Sequence, residues 1–330
     1  MENKYPMNQR RLRANIHIRE LASTVVLDYK KFIQPLFVNQ NLTERKDVPG
    51  MGDIWSDTII SVKETIKSDM KNGVTKFLLF PVPKDKYDQD FNFDFAVKVV
   101  KEIKAEFNSN IWLACDLCLC SYTSHGHCGI LSPDHTRLLN APTVSLLSDY
   151  ALKLARAGAD CIAPSDMTDG RIKAIRQILD NYELDHVSIM SYSSKFSSQY
   201  YGPFRDACDS APNSHGLKNR KTYQISPQNL NDALESSFRD AAEGADMLMV
   251  KPAALYNDII SAIKQNTNKP VAAYHVSGEY ASIELMANAG LLDKEKAHIE
   301  TWTSLVRSGA DIVISYASRH AKEWIERMEM

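Results

Sequence analysis

Short apolar runs alternate with amphipathic stretches along nearly the whole chain, and this alternation restricts the fold more than any other feature. The runs are Ile33–Val38, Lys76–Val82, Ile111–Leu119, Cys161–Ser165, Val187–Ser191, Met247–Val250, Val271–Val276 and Ile312–Tyr316. They are rich in Ile, Leu, Val and aromatics without clean polar alternation, as parallel strands buried on both faces should be. Between them, Thr58–Asn72, Phe93–Phe107, Val144–Ala157, Asp169–Asn181, Asn229–Glu243, Leu255–Lys264, Ala281–Ala289 and Lys294–Ser308 have helical spacing. One joint recurs. Arg156-Ala-Gly-Ala-Asp160, Glu243-Gly-Ala-Asp246 and Ser308-Gly-Ala-Asp311 each end a helix and open a strand. A glycine after the last helical turn takes the left-handed conformation that stops a helix. Eight strands alternating with helices predict a parallel barrel or a doubly wound sheet. The sequence contains neither GxGxxG nor GxxxxGK[ST]. That removes the common nucleotide-binding sheets and favours an α/β fold of the (βα)8 barrel type.

A barrel of this kind takes about 250 residues, and the chain has 330. Residues 1–30 are polar and Arg-rich (Arg10, Arg11, Arg13, Arg19) and lack strong periodicity. They are expected to form an N-terminal extended arm outside a catalytic barrel of residues 31–330. Ile16, Ile18 and Leu21 would let that arm dock on another surface. The formal charge of −2 argues against nucleic acid as a partner. No apolar run is long enough to span a membrane, and the N-terminus lacks the apolar core of a secretory signal. Six cysteines in a chain this long do not resemble a disulfide scaffold. A cytoplasmic location is therefore expected.

Chemistry in such barrels sits at the C-terminal ends of the strands. Lys195 follows the fifth run and Lys251 the sixth, so neighbouring strands would carry both amines into one cavity. Burial and mutual repulsion favour a neutral amine in such a pair, and a neutral lysine can form a Schiff base with a carbonyl. The alternative for either one is a solvated lysine or one paired with a carboxylate. Cys118, Cys120 and Cys128 lie within eleven residues, beside His125 and His127. Three thiolates suit Zn²⁺ and leave a fourth position open; reduced structural thiols are the alternative. Cys115, Cys161 and Cys208 read as ordinary buried or loop cysteines. The long polar stretch Ser197–Pro227 carries Arg205, Arg220 and Lys221, which could clamp a carboxylate and close over the cavity. Ser277 and Tyr316 could hold a second carboxylate. Asp116, Ser165 and Asp166 are candidate acid–base or supporting groups. These residues together point to a zinc-bearing barrel that condenses or dehydrates small keto acids. A single-lysine lyase of the aldolase kind does not need the thiols. A non-enzymatic metal-binding barrel would not need both lysines and the arginines.

The stretches DLCLCSYTSHGHCGIL from Asp116, APSDMTDGR from Ala163, MSYSSKFSSQYYGPFRDAC from Met190, RKTYQ from Arg220, GADMLMVKPA from Gly244 and AYHVSGEYA from Ala273 resemble the porphobilinogen synthase, or 5-aminolevulinate dehydratase, family. The resemblance runs from near Arg10 to the C-terminus. It implies condensation of two 5-aminolevulinate molecules to porphobilinogen with loss of two waters, on the path to haem and related tetrapyrroles. It further implies that Lys251 holds the first substrate as a Schiff base, with Ser277 and Tyr316 on its carboxylate. By the same resemblance Lys195 holds the second, clamped by Arg205, Arg220 and Gln224. Cys118, Cys120 and Cys128 would then ligate zinc, and Asp116, Ser165 and Tyr201 would line the cavity. The family's arm wraps a neighbour, usually in a homo-octamer. Many bacterial members bind an allosteric Mg²⁺ through a glutamate fifteen residues before the second lysine. Here that place is Ser236, with Glu235 beside it, so the resemblance does not carry the magnesium site over.

Overall fold

The computed structural model describes residues 8–213 and 215–328. The first seven residues of the expected arm, Ser214 of the long polar stretch and the last two residues of the barrel segment lie outside the described residues. The strands are β1 (Phe32–Asn39), β2 (Lys46–Asp47), β3 (Trp55–Asp57), β4 (Lys76–Val82), β5 (Trp112–Leu117), β6 (Cys161–Pro164), β7 (Ser188–Lys195), β8 (Met247–Lys251), β9 (Val271–His275) and β10 (Ile312–Ser315). The helices are α1 (Ile16–Leu21), α2 (Ser61–Lys71), α3 (Asp94–Phe107), α4 (Asn140–Arg156), α5 (Arg171–Asn181), α6 (Gly202–Ala207), α7 (Leu230–Ala242), α8 (Asn257–Asn266), α9 (Ser277–Asn288), α10 (Lys294–Arg307) and α11 (Ala321–Met328).

Strand β1 pairs in parallel with both β4 and β10, through Gln34 opposite Phe77 and Phe32 opposite Val313. The sheet β1-β4-β5-β6-β7-β8-β9-β10 therefore closes on itself as an eight-stranded parallel barrel, which leaves no edge to protect. The short antiparallel pair β2–β3 is added beside β1. Every one of the eight apolar runs is a barrel strand. The sequence pattern did not show β2, β3 or α6, each too short to display a period, nor α11, whose buried face is Ala321, Trp324 and Ile325.

The three Gly-Ala-Asp joints behave alike. Gly158, Gly244 and Gly309 have φ of +105°, +108° and +111°, a conformation that L side chains rarely adopt. The aspartate of each joint then accepts a backbone N–H from the preceding strand: Asp160 from Leu113, Asp246 from Ile189 and Asp311 from Val271, at 2.8–2.9 Å. These clasps close the end of the barrel away from the chemistry.

Of residues 8–26, none is buried. The expected extended arm contains a short helix, α1, because the Asn15 side chain accepts the N–H of Ile18 at 3.1 Å and caps it.

Strand β7 carries one extra residue relative to β8. Ser191 lies opposite Leu248, but Ser194 lies opposite Val250 and Lys195 opposite Lys251. Ser191 and Ser194, three apart, both face α7, where they meet Asp240 and Ser237. Strict alternation from Ser191 would turn Lys195 outward as well. The extra residue restores the inward direction, so Tyr192 and Lys195 both face the barrel interior. Behind this strand the fully buried Arg171 bridges Asp166 and Asp240.

Candidate active site

Lys195 and Lys251 are directly paired on neighbouring strands, only 5% and 3% exposed. Among the described residues neither has a carboxylate within ion-pair distance, so the paired-lysine alternative does not apply. Lys195 Nζ donates to the Ser165 carbonyl. Lys251 Nζ sits in a box of rings, 4.1 Å from the centroid of Tyr274, 4.6 Å from Phe204 and 5.0 Å from Tyr192. Burial, reinforced by the charge on Lys195, lowers the Lys251 amine to about 7. The rings stabilise a cation only weakly and do not repay the lost hydration.

Tyr274, Phe204 and Tyr192 were not singled out from the sequence. Tyr274 could have been. Val250 lies opposite Ala273, so the next residues, Lys251 and Tyr274, are neighbours once the two runs are aligned. Phe204 comes from the lid stretch, whose register no pattern announces.

That stretch leaves the barrel at Phe196 and returns at Ile225, where the two residues form a parallel bridge. Within it α6 starts with Pro203 in its first turn, and Phe204 packs between Phe37, Phe80 and Lys251. The lid is fastened to the start of α9. Ser277 Oγ accepts the N–H of Phe204 at 3.1 Å, and Gly278 N donates to the Tyr200 carbonyl at 2.8 Å. A Cβ on Gly278 would meet that carbonyl oxygen at 2.6 Å, so only glycine allows the approach. Tyr201 OH donates to the carbonyls of Phe196 and Lys251, at 2.8 and 3.0 Å, and so pins the lid to β8. Ser277, just after the seventh run, opens α9 four residues before the helix expected at Ala281. Tyr316 follows β10 and its hydroxyl meets that of Tyr274 at 3.1 Å. The space left between Asp116, Cys118, Cys120, Phe204 and Cys208 is about 10 Å³, room for roughly one water.

The segment after β5 brings Cys118, Cys120 and Cys128 together. Their three sulfurs lie within 4.8 Å of one another and all three residues are buried. Cys118 and Cys128 donate to Cys120, holding its thiol well below the usual range, and burial pushes Cys118 up. Four-coordinate zinc with Zn–S bonds near 2.3 Å requires sulfurs about 3.8 Å apart. The cluster's spacing is of that order, so the donor set fits a soft divalent metal. His127 does not join the group. Its ring meets Tyr223 OH at 2.9 Å and the Leu217 carbonyl at 2.9 Å, which leaves it buttressing the cluster.

On the lid side, Arg220 donates to the carbonyls of Gly126 and Ser210, at 3.0 and 2.6 Å. Burial opposes its charge, but the neighbouring sulfurs of Cys128 and Cys120 outweigh burial and hold it protonated. Burial and the charge on Arg220 lower the Arg205 guanidinium. Arg205 Nε, Arg220 Nε and both side-chain polar atoms of Gln224 are buried without a partner. Polar atoms left this way cost about 1–3 kcal/mol each unless a ligand meets them. Gln224 also lines a cavity of about 450 Å³ with Arg137, Lys221, Ser236 and Arg239. Ser236 is buried there and accepts a hydrogen bond from Arg239 at 3.1 Å. Asp116 Oδ1 is likewise unpartnered. Burial raises its carboxyl to about 6, against the lowering pull of Lys195 and Lys251.

These features have counterparts in known proteins. The sequence matches the family model "Delta-aminolevulinic acid dehydratase" over residues 7–324. The chain belongs to the delta-aminolevulinic acid dehydratase family. It is accordingly an enzyme of the lyase class. The delta-aminolevulinic acid dehydratase of Synechocystis sp. is 40% identical over 324 residues, covering 96% of this chain and 98% of the relative. That of Bacillus subtilis is 39% identical over 320 residues, covering 96% and 97%. The crystal structure of the Toxoplasma gondii ME49 delta-aminolevulinic acid dehydratase (porphobilinogen synthase), in complex with the reaction product porphobilinogen, superposes with a TM-score of 0.90. It is 34% identical and covers 97% of this chain and 92% of that one. Among the described residues no helix is long and apolar enough to cross a membrane.

Proposed function

We propose that this chain condenses two molecules of 5-aminolevulinate to porphobilinogen, releasing two waters, in tetrapyrrole (haem) biosynthesis. The observation that carries this reading is the direct pairing of two buried lysines, neither of them matched by a carboxylate among the described residues. The Lys251 amine, neutral in part at pH 7, attacks the ketone of the first substrate, and the ketone oxygen leaves as water. The Ser277 and Tyr316 hydroxyls hold that substrate's carboxylate. Lys195 binds the second substrate in the same way, and Arg205, Arg220 and Gln224 fill their unpaired positions with its carboxylate. Each lysine is freed when the partner substrate's own nitrogen or carbon takes its place, so two waters leave per pyrrole. Asp116, with its carboxyl near 6, takes and returns protons beside Ser165. Tyr201 keeps Lys251 in place from behind. Cys118, Cys120 and Cys128 would hold a zinc ion, which supplies a positive Lewis-acid position beside the second substrate. The unburied arm, with Leu12, Ile16 and Leu21 exposed, makes the subunit contacts of a cytoplasmic homo-octamer, and residues 31–330 form the catalytic barrel.

The test is incubation with 5-aminolevulinate, with and without a zinc chelator, following the pyrrole colorimetrically. Product that disappears on chelation and returns with zinc supports the whole reading. Product untouched by chelation, with no bound zinc, keeps the reaction and removes the zinc role. No product from folded, zinc-replete protein refutes the reading.

A further inference from the structure

Glu279 is a carboxylate only 6% exposed, and among the described residues no cation pairs with it. Burying an unpaired carboxylate is costly, so its partners explain why it is tolerated there. They are backbone N–H groups of two separate segments. Oε2 accepts the N–H of Val276 at 2.9 Å, the residue before Ser277. Oε1 accepts the N–H of Ala254 at 2.9 Å, three residues after Lys251. The first contact alone is ordinary capping of α9 by its third residue. The second is not, because it reaches across to the loop that continues from β8. The carboxylate thus ties the loop beyond the Schiff-base lysine to the turn that presents Ser277.

We propose that Glu279 is a positioning residue that sets the span between Lys251 and Ser277, and so matches the first subsite to a keto acid whose carbonyl and carboxylate are a fixed distance apart. This inference rests on the roles proposed above for Lys251 and Ser277. Both oxygens are used, so the isosteric amide cannot replace the carboxylate. In Glu279→Gln one oxygen accepts as before, and the new NH₂ group faces an N–H donor. One of the two ties is then lost while the volume is kept.

The experiment compares two probes for Lys251. 4-Oxopentanoate has the ketone and carboxylate of the substrate, and 2-pentanone has a methyl group in place of the carboxylate. The Lys251 amine displaces the ketone oxygen as water, and added cyanoborohydride delivers hydride to the imine carbon, leaving a stable secondary amine that peptide mass spectrometry locates. Wild-type protein should label Lys251 faster with the acid than with the ketone. A misplacement of about 1 Å can cost up to ~100-fold in such sites, so Glu279→Gln should lose roughly tenfold or more of that preference. Its labelling by 2-pentanone should stay at the wild-type rate. A purely structural role would slow both probes alike, and that result, or an unchanged preference, overturns the proposal. Should Glu279→Gln fail to fold, Glu279→Asp carries the same comparison, because it keeps two acceptor oxygens on a shorter stem. Wild-type protein that labels Lys251 with neither probe refutes the Schiff-base reading itself, and the positioning role falls with it.

Discussion

The titration of Lys251 offers the most direct test of how this site makes a nucleophile. An ordinary lysine near 10.5 is neutral at pH 7 in about one molecule in 3,000. With the amine lowered to about 7, about half the molecules carry a free amine at that pH, a displacement worth about 5 kcal/mol against the charged form. Burial is the larger cause and the Lys195 charge the next. The two are separable by Lys195→Met. Removing a positive neighbour favours protonation of Lys251, so its titration should move up. The box of Tyr274, Phe204 and Tyr192 remains, so the titration should still fall below the ordinary lysine range. The assay is the rate of reductive labelling of Lys251 by 4-oxopentanoate from pH 5.5 to 9.5. Wild-type rates should rise with pH and level off above a midpoint near 7, since only the neutral amine attacks. Lys195→Met should show the same shape with a higher midpoint. A wild-type midpoint near 10 would refute the burial argument. An unchanged or lowered midpoint in Lys195→Met would refute the electrostatic one.

Gln224→Leu should leave the melting temperature equal or higher, because it removes two buried unpaired atoms, each costing about 1–3 kcal/mol. The same variant should lower kcat/KM, and calorimetry with steady-state kinetics reads both; a drop in stability with normal turnover would show that Gln224 has a structural partner instead. Cys120→Ala should lose bound zinc on dialysis, as atomic absorption reads it, while keeping its circular dichroism. Retention of one zinc per chain would remove Cys120 from the ligand set. Arg171→Met leaves Asp166 buried without its cation and Asp240 with Arg239 alone, and should cost about 3–5 kcal/mol in urea unfolding; a loss below about 1 kcal/mol would mean that water and Arg239 compensate.

The barrel was legible because buried parallel strands write themselves as apolar runs, and all eight runs became strands. The lysine pair was legible for a weaker reason. Both follow apolar runs, but strict alternation along β7 would have turned Lys195 outward, and the extra residue between Ser191 and Ser194 has no signature in the sequence. The thiol cluster was readable from spacing alone, since Cys118 and Cys120 share a face and the His-Gly-His turn returns Cys128. Arg205 and Arg220 were readable as cations of a long polar stretch that could clamp a carboxylate, but Gln224 and the assignment of all three to one subsite came only through the family resemblance. Their meaning lies in unpaired buried atoms, which exist only once the lid stretch has folded back onto Ile225. Glu279 was invisible because its two backbone partners, Ala254 and Val276, are far apart in the chain.

The aspartate clasps carry a consequence for how the barrel divides its labour. They recur on every second strand, joining β5 to β6, β7 to β8 and β9 to β10. The building block of this part of the barrel is therefore a pair of strands. Each block brings one ingredient. The β5–β6 block supplies the thiols, Asp116 and Ser165, the β7–β8 block both amines, and the β9–β10 block Ser277 and Tyr316. The blocks still share one cavity: Tyr274 of β9 stands against Lys251 of β8, so an exchange of one block would also change the surroundings of its neighbour's chemistry.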